Sequence, residues 1–110
     1  MKKVSIITTT FNLIKNKREE YFEEMFKSLH NQTYENIEHV IIDGNSTDGT
    51  QEFIKNTIEK YGKKEVTFLS EPDNGINDAT NKGFSIAKGD YLTLICSDDY
   101  YTRNDASNYW

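Results

Sequence analysis

The sequence predicts an α/β fold, a mostly parallel sheet with helices packed against its faces. Two observations carry this. Short β-branched and aliphatic runs alternate with segments of helical periodicity in the order strand, helix, strand, helix, strand, helix, strand, the spacing of parallel strands joined by right-handed crossovers. Three of the predicted strands also end in polar clusters: Thr9-Thr10-Phe11-Asn12, Asp43-Gly44-Asn45-Ser46 and Ser97-Asp98-Asp99. In a parallel sheet these ends share one rim, where open α/β sheets bind their ligands.

The first strand is Val4-Ser5-Ile6-Ile7-Thr8-Thr9, β-branched almost throughout. From about residue 17 to 31, Tyr21, Phe22, Met25, Phe26 and Leu29 recur at three-and-four spacing, which makes an amphipathic helix. Residues 37–42 form a second strand ending at Asp43-Gly44. Asn45-Ser46-Thr47-Asp48-Gly49-Thr50 is a turn-rich loop in which Thr47 or Asp48 caps the next helix. That helix carries Phe53, Ile54, Ile58 and Tyr61 and stops at Gly62. Residues 66–69 are a short third strand. Residues 70–77 hold the only proline, Pro72, with Gly75, and read as a loop. A short helix over residues 78–87 leads through Lys88-Gly89-Asp90 into an apolar fourth strand, residues 91–96. Residues 1–101 form one domain; residues 102–110 are a polar, aromatic tail with no pattern of strand or helix.

The 110 residues make one domain at most, able to bury somewhat over ~60% of the unfolded surface. Mean hydropathy of −0.77 describes a polar chain, yet 13% aromatic residues argue for a packed core rather than disorder. With a net charge of −5 and no basic stripe, nucleic acid is not an expected partner. The single cysteine, Cys96, forms no internal disulfide and suits a reducing compartment; in its apolar strand it reads as a small buried hydrophobe. No apolar run reaches the ~20 residues of a bilayer span, and the start does not resemble a signal peptide. A cytoplasmic protein is expected, with attachment to a membrane surface left open.

Chemistry concentrates at Asp98 and Asp99. Buried strands rarely end in adjacent carboxylates, whose repulsion calls for a counter-charge, and Mn²⁺ or Mg²⁺ suits such hard oxygen ligands. A cation there would hold a diphosphate and act as a Lewis acid. The alternative is a solvated loop start. Asp43 either accepts hydrogen bonds from a base or ribose or simply forms the turn before Gly44. Phe11 is a stacking wall or an ordinary loop aromatic. Asp48 reads as a helix cap, and Asp78 as an N-cap or a ligand-facing acid, the cap being favoured. Neither His30 nor His39 has a cluster of ligands around it, so both are expected to be structural. Phosphate-loop, dinucleotide and nucleophile-elbow motifs are absent.

Four stretches in order resemble the nucleotide-sugar-binding half of family 2 glycosyltransferases, inverting enzymes of the GT-A fold. They are Val4-Ser5-Ile6-Ile7-Thr8-Thr9-Thr10-Phe11-Asn12; Ile41-Ile42-Asp43-Gly44-Asn45-Ser46-Thr47-Asp48-Gly49-Thr50; Glu71-Pro72-Asp73-Asn74-Gly75-Ile76-Asn77-Asp78-Ala79-Thr80-Asn81-Lys82-Gly83; and Ala87-Lys88-Gly89-Asp90-Tyr91-Leu92, continuing through Leu94 to Ser97-Asp98-Asp99. The resemblance implies a Rossmann-like sheet and a nucleoside diphosphate sugar as donor, a UDP-sugar first. It implies transfer to a glycan or lipid-linked acceptor, as in polysaccharide biosynthesis. Thr9, Thr10 and Phe11 would line the base pocket, Phe11 standing where the family often has a stacking tyrosine. Asp43 would bond the base, Asp78 and Asp98 would lie near ribose or sugar, and Asp99 would ligate the metal. Ser97 takes the first position of the family's D-x-D-type element.

The resemblance also implies a longer chain. An inverting transfer needs a carboxylate base for the acceptor hydroxyl, and after Tyr101 only Asp105 is present. The expectation is therefore a truncated domain whose base lies in a missing C-terminal part. A diphosphate-binding module without turnover is the second expectation. Self-association through an exposed apolar sheet edge is a third. A receiver-like phosphorylation domain fits poorly, because its acidic pair follows the first strand rather than the last.

Overall fold

A computed structural model describes residues 2–72 and 76–95. Four strands and three helices alternate: β1 (Val4–Thr10), α1 (Glu19–His30), β2 (Ile37–Asp43), α2 (Thr50–Tyr61), β3 (Glu65–Ser70), α3 (Ile76–Ile86) and β4 (Tyr91–Leu94). The strands form one sheet in the order β3-β2-β1-β4, and each neighbouring pair is parallel. The α/β architecture expected from the alternation is thus present. Element ends differ from the sequence pattern by one to three residues, the usual uncertainty of helix and strand termini.

The order fixes where the helices lie. From β1 the chain steps outward to β2 and β3, then returns across the sheet to place β4 on the other side of β1. Right-handed crossovers then put α1 and α2 on one face and α3 on the other. Packing follows this division. Phe22, Phe26 and Ile54 from α1 and α2 meet Leu13 and Ile41, with Phe53, Val66 and Phe68 around them. Ala79 and Ile86 from α3 meet Ile7, Val40 and Ile42 on the opposite face. Both faces of β2 are therefore covered, and all seven of its residues are buried, including Glu38, His39 and Asp43.

The helices form for local reasons too. Glu19 and Glu20 in the first turn of α1, with Lys27 in its last, match the helix dipole. In α3, Gly83 lies so close to β1 that an added Cβ would fall 2.5 Å from Ile7 Cγ2. Only glycine lets α3 approach the sheet so nearly. The expected N-caps are corrected here. Gly49 holds the N-cap position of α2, and Asp48, one residue earlier, accepts the Thr50 N–H at 3.0 Å. Helix α3 starts at Ile76, so Asp78 lies within its first turn and is not its cap.

Strand β4 is an edge among the described residues, paired only with β1, and it exposes Tyr91 and Leu92. No helix of the described residues is long and apolar enough to cross a membrane.

Candidate functional site

The carboxyl ends of β1, β2, β3 and β4 share one rim, and the strand order reverses between β1 and β4. Such a switch point opens a crevice outside the strand ends. Thr9, Thr10, Phe11 and Asp43 all stand on this rim, and β4 directs the chain toward it, the Ile95 N–H donating to Ile7 O at 2.8 Å just below it.

Asp43, the last residue of β2, organises the rim. Its side chain is wholly buried and accepts four hydrogen bonds. Oδ1 takes the hydroxyls of Thr10 and Ser46, both at 2.7 Å. Oδ2 takes the Ser46 N–H at 2.8 Å and the Ser70 hydroxyl at 2.9 Å. One carboxylate thereby ties together the ends of three strands and the β2–α2 loop. A carboxylate offers about four acceptor positions, and all are filled.

The two loops above the rim are stapled to each other. Asn12, at φ 48, is in the left-handed region that asparagine tolerates. Its N–H donates to Ser46 Oγ at 2.8 Å, and its Oδ1 accepts the Thr47 N–H at 2.9 Å. Asp48 Oδ2 accepts the Lys15 N–H at 2.8 Å. Burial works against the Asp48 charge, but the Thr50 hydroxyl and the N–H groups of Lys15 and Thr50 outweigh it, so its carboxyl sits below the ordinary value. These bonds make Asp48 a loop anchor rather than the helix cap that its sequence position suggested.

Phe11 is the exception among buried neighbours: it is 51% exposed on this braced loop. An aromatic ring held in solvent by a rigid backbone is available for stacking. Thr9 and Thr10 are instead buried, Thr10 being committed to Asp43. Asp78, in the first turn of α3, lies 3.6 Å from Lys82 Nζ, which also pairs with Glu71 at 3.1 Å and donates to Pro72 O at 2.7 Å. This ties α3 to the end of the β3–α3 connection.

Asp98, Asp99 and Cys96 lie outside the described residues, as do Asp73, Asn74, Gly75 and the 102–110 tail. Among the described residues no group of three or more His, Cys, Asp or Glu gathers to hold a metal ion. Of the described candidates, Asp43 has no free acceptor position and Asp78 faces an ammonium.

The histidines form a polar chain inside the sheet-helix layer. His30 Nδ1 faces the N–H groups of Lys63 and Lys64 at 3.0 and 3.1 Å, so it must be the acceptor. Its Nε2–H then donates to His39 Nδ1 at 3.2 Å, and His39 Nε2–H to Thr8 Oγ1 at 2.9 Å. Burial, then the Lys64 charge, lowers the His30 pKa to about 4; burial, then His30, lowers that of His39 to about 3. Both are neutral structural groups, as expected.

Sequence reasoning passed over Ser70 and Glu38. Ser70 closes an apolar strand at the register partner of Asp43, a relation visible only once the strands are paired. Glu38 is an acid inside a run otherwise apolar enough to be buried on both faces, which is itself a signal.

The comparisons agree with this geometry. Residues 5–108 match the model of Glycosyl transferase family 2. An uncharacterized glycosyltransferase of Haemophilus influenzae is 38% identical over 101 residues, which are 92% of this chain and 38% of that protein. A GalNAc(5)-diNAcBac-PP-undecaprenol beta-1,3-glucosyltransferase of Campylobacter jejuni is 32% identical over 100 residues, 90% of this chain and 30% of that one. Among solved structures, S. aureus TarS 1-349 in complex with UDP-GlcNAc superposes with a TM-score of 0.69 at 26% identity, over 97% of this chain and 30% of that 1-349 chain. The mannosyltransferase PcManGT from Pyrobaculum calidifontis, in complex with GDP-Man and Mn²⁺, gives 0.67 at 26% identity, over 88% of this chain and 28% of its own. The chain thus spans well under half of each of these proteins. With the family model covering all but a few residues, and the rim built as the sheet order requires, this chain belongs to glycosyl transferase family 2.

Proposed function

We propose that this chain is the donor-binding part of an inverting glycosyltransferase that moves a sugar from a nucleoside diphosphate donor to a glycan or lipid-linked acceptor. The observation that carries it is the exposed Phe11 ring on a stapled loop at the topological switch point, in a chain of family 2. Phe11 stacks on the base, a uracil first, since TarS is solved with UDP and with UDP-GlcNAc. A base N–H reaches Asp43 by displacing one of its four donors. The half-buried Ser70 hydroxyl is the one that gives way, because Thr10 and Ser46 are buried. Thr9 and Thr10 back this pocket, and Asp78 and Asp98 approach the ribose or sugar.

Asp99 is assigned to a divalent cation, Mn²⁺ or Mg²⁺, which when bound neutralises charge on the departing diphosphate. Support comes from the chemistry of an adjacent carboxylate pair and from PcManGT, solved with Mn²⁺. The catalytic base belongs to chain beyond Tyr101. The reading places the protein in the cytoplasm, at a membrane surface where the acceptor is lipid-linked. Exposed Tyr91 and Leu92 on the β4 edge support self-association.

Calorimetric titration with UDP, GDP and dTDP, each with and without Mn²⁺, tests this. UDP binding strengthened by Mn²⁺, abolished in Asp99→Ala and weakened in Asp43→Ala, is expected. No binding of any nucleotide would overturn it. A second reading is a diphosphate-binding module without turnover. Incubation with UDP-sugars, Mn²⁺ and acceptors separates the two: binding without transfer supports the module.

A further inference from the structure

We infer that Glu38, acting with Ser5, is a positioning residue that locks the register of β4 and so fixes where the chain emerges onto the donor rim. The inference rests on the proposed function for its consequence, but its geometry stands apart, at the opposite end of the sheet.

Residues 88–90, which lead into β4, are held by β1 and β2 rather than by α3. Glu38 Oε2 accepts the Lys88 N–H at 2.9 Å and the Ser5 hydroxyl at 2.7 Å. Ser5 Oγ in turn accepts the Gly89 N–H at 2.8 Å. Asp90 Oδ2 accepts the Lys3 N–H at 2.9 Å, while Lys3 O accepts the N–H groups of Asp90 and Tyr91 at 2.7 and 3.1 Å. Close packing enforces the same alignment. A Cβ on Gly89 would lie 2.4 Å from Ser5 Oγ and 2.8 Å from Ser5 N, so no other residue can take its place. A slip by one residue in either direction would drive a side chain into β1.

This lock matters because the core holds β4 only at its far end, where Leu94 and Ile95 pack. It is a four-residue edge strand paired with β1 alone among the described residues, and its first two side chains are exposed. An exposed stretch is weakly specified, and a one-residue slip exchanges a strand's faces. With Val4 opposite Tyr91 and Ile7 opposite Leu94, the strand carries the chain roughly 13 Å, at about 3.3 Å per residue, to Ile95, level with Thr8 and heading for the rim.

Glu38 also has an unexplained cost. It is wholly buried, and its Oε1 has no hydrogen-bond partner among the described residues. A buried carboxylate with one bare oxygen is a poor stabiliser. Fixing a register is the best-attested reason to keep such a group.

The test uses the 110-residue chain with Glu38→Leu and Ser5→Ala, read by urea unfolding, amide hydrogen exchange and UDP titration with and without Mn²⁺. Expected for Glu38→Leu is a small drop in urea midpoint, because the Ser5 hydroxyl and the Lys88 N–H lose their acceptor, with exchange at Lys88, Gly89 and Ile95 about tenfold faster or more. UDP affinity without metal stays as in the parent chain, whereas the gain produced by Mn²⁺ falls about tenfold. A merely structural glutamate would leave the metal gain intact, which overturns the inference. So does faster exchange at Lys88 and Gly89 with Ile95 unaffected. Should Glu38→Leu fail to fold, Ser5→Ala, which removes the acceptor for Gly89, carries the same expectations. If the parent chain binds no nucleotide, the proposed function falls, and exchange at Ile95 alone decides whether the lock exists.

Discussion

Two buried acids on one strand, Glu38 and Asp43, are kept in opposite ways. Both side chains are fully buried. Asp43 has two donors on each oxygen, three of the four being hydroxyls from β1, the β2–α2 loop and β3. Glu38 has two donors on one oxygen and none on the other. The first arrangement ties the rim into a rigid platform; the second fastens the entry of an edge strand at the cost of an unsatisfied atom. Burial alone therefore says little about what an acid does. The number of strands its hydrogen bonds connect says more.

The sharpest way to break this contrast is to remove the acid at the rim. Asp43→Ala strands the hydroxyls of Thr10, Ser46 and Ser70 and the Ser46 N–H together, and unpaired buried groups cost about 1–3 kcal/mol each. Partial relaxation brings the expected loss to roughly 4 kcal/mol in urea unfolding, whereas Glu38→Leu, which strands only the Ser5 hydroxyl and the Lys88 N–H and removes a bare buried oxygen, is expected to lose about 1–2 kcal/mol. Equal losses in the two variants would erase the distinction drawn here.

The histidine chain tests the amino-terminal half of the sheet through pH. Folding holds His30 near 4 and His39 near 3, both below the ordinary 6.5. A depressed histidine pKa means the unfolded chain binds protons that the folded chain refuses. Stability is thus unaffected by these groups above about pH 6.5 and falls as pH drops from there toward 4. A loss on the order of 3 kcal/mol between pH 7 and 4.5 is expected in urea unfolding. Asp48 and Glu65, whose pKa values are lowered, lose their contribution only at more acid pH. His39→Leu should flatten the slope between pH 6.5 and 4.5; an unchanged slope would assign the acid sensitivity elsewhere.

Much of this was legible in the residues. Alternating β-branched runs and three-and-four spacing place every strand and helix among the described residues, because local patterning and the parallel topology agree. The convergence of Phe11, Thr10 and Asp43 on one rim follows from the same pattern. What escaped depends on pairing. Ser5, Glu38 and Gly89 are 33 and 51 positions apart in sequence, counted from Ser5 to Glu38 and from Glu38 to Gly89, and no periodicity links them. Asp78 looked like a cap because the turn signals before it end late. The helix instead begins at Ile76 and puts Asp78 one turn from Lys82.

Between the two acids, Gly83 offers a measure of how tightly α3 is seated. Alanine gains about 1 kcal/mol of helix propensity over glycine, but its Cβ would sit 2.5 Å from Ile7 Cγ2 and 3.1 Å from Ile7 Cγ1. Overpacking of this kind costs about 1–3 kcal/mol. Because Ile7 is fully buried and cannot retreat, the clash prevails, and Gly83→Ala should destabilise by about 1 kcal/mol. A stabilised variant would mean that α3 shifts freely over the sheet.

The smallest effect on folding should fall on the residue with most to do with ligand. Phe11 is half exposed and belongs to none of the buried core clusters, so Phe11→Ala should change unfolding by less than about 0.5 kcal/mol. Its neighbours keep the loop in place through Asn12 and Ser46 regardless. If the ring stacks on a base, the lost contact is worth about 0.5–1.5 kcal/mol, a rise in UDP Kd of roughly two- to tenfold. Phe11→Tyr should restore affinity, since the stacking surface returns. This pair of variants separates the platform from the surface it presents. Asp43→Ala damages both fold and affinity, whereas Phe11→Ala damages affinity alone. A Phe11→Ala chain that binds UDP as tightly as its parent would leave the rim rigid but move the base away from it.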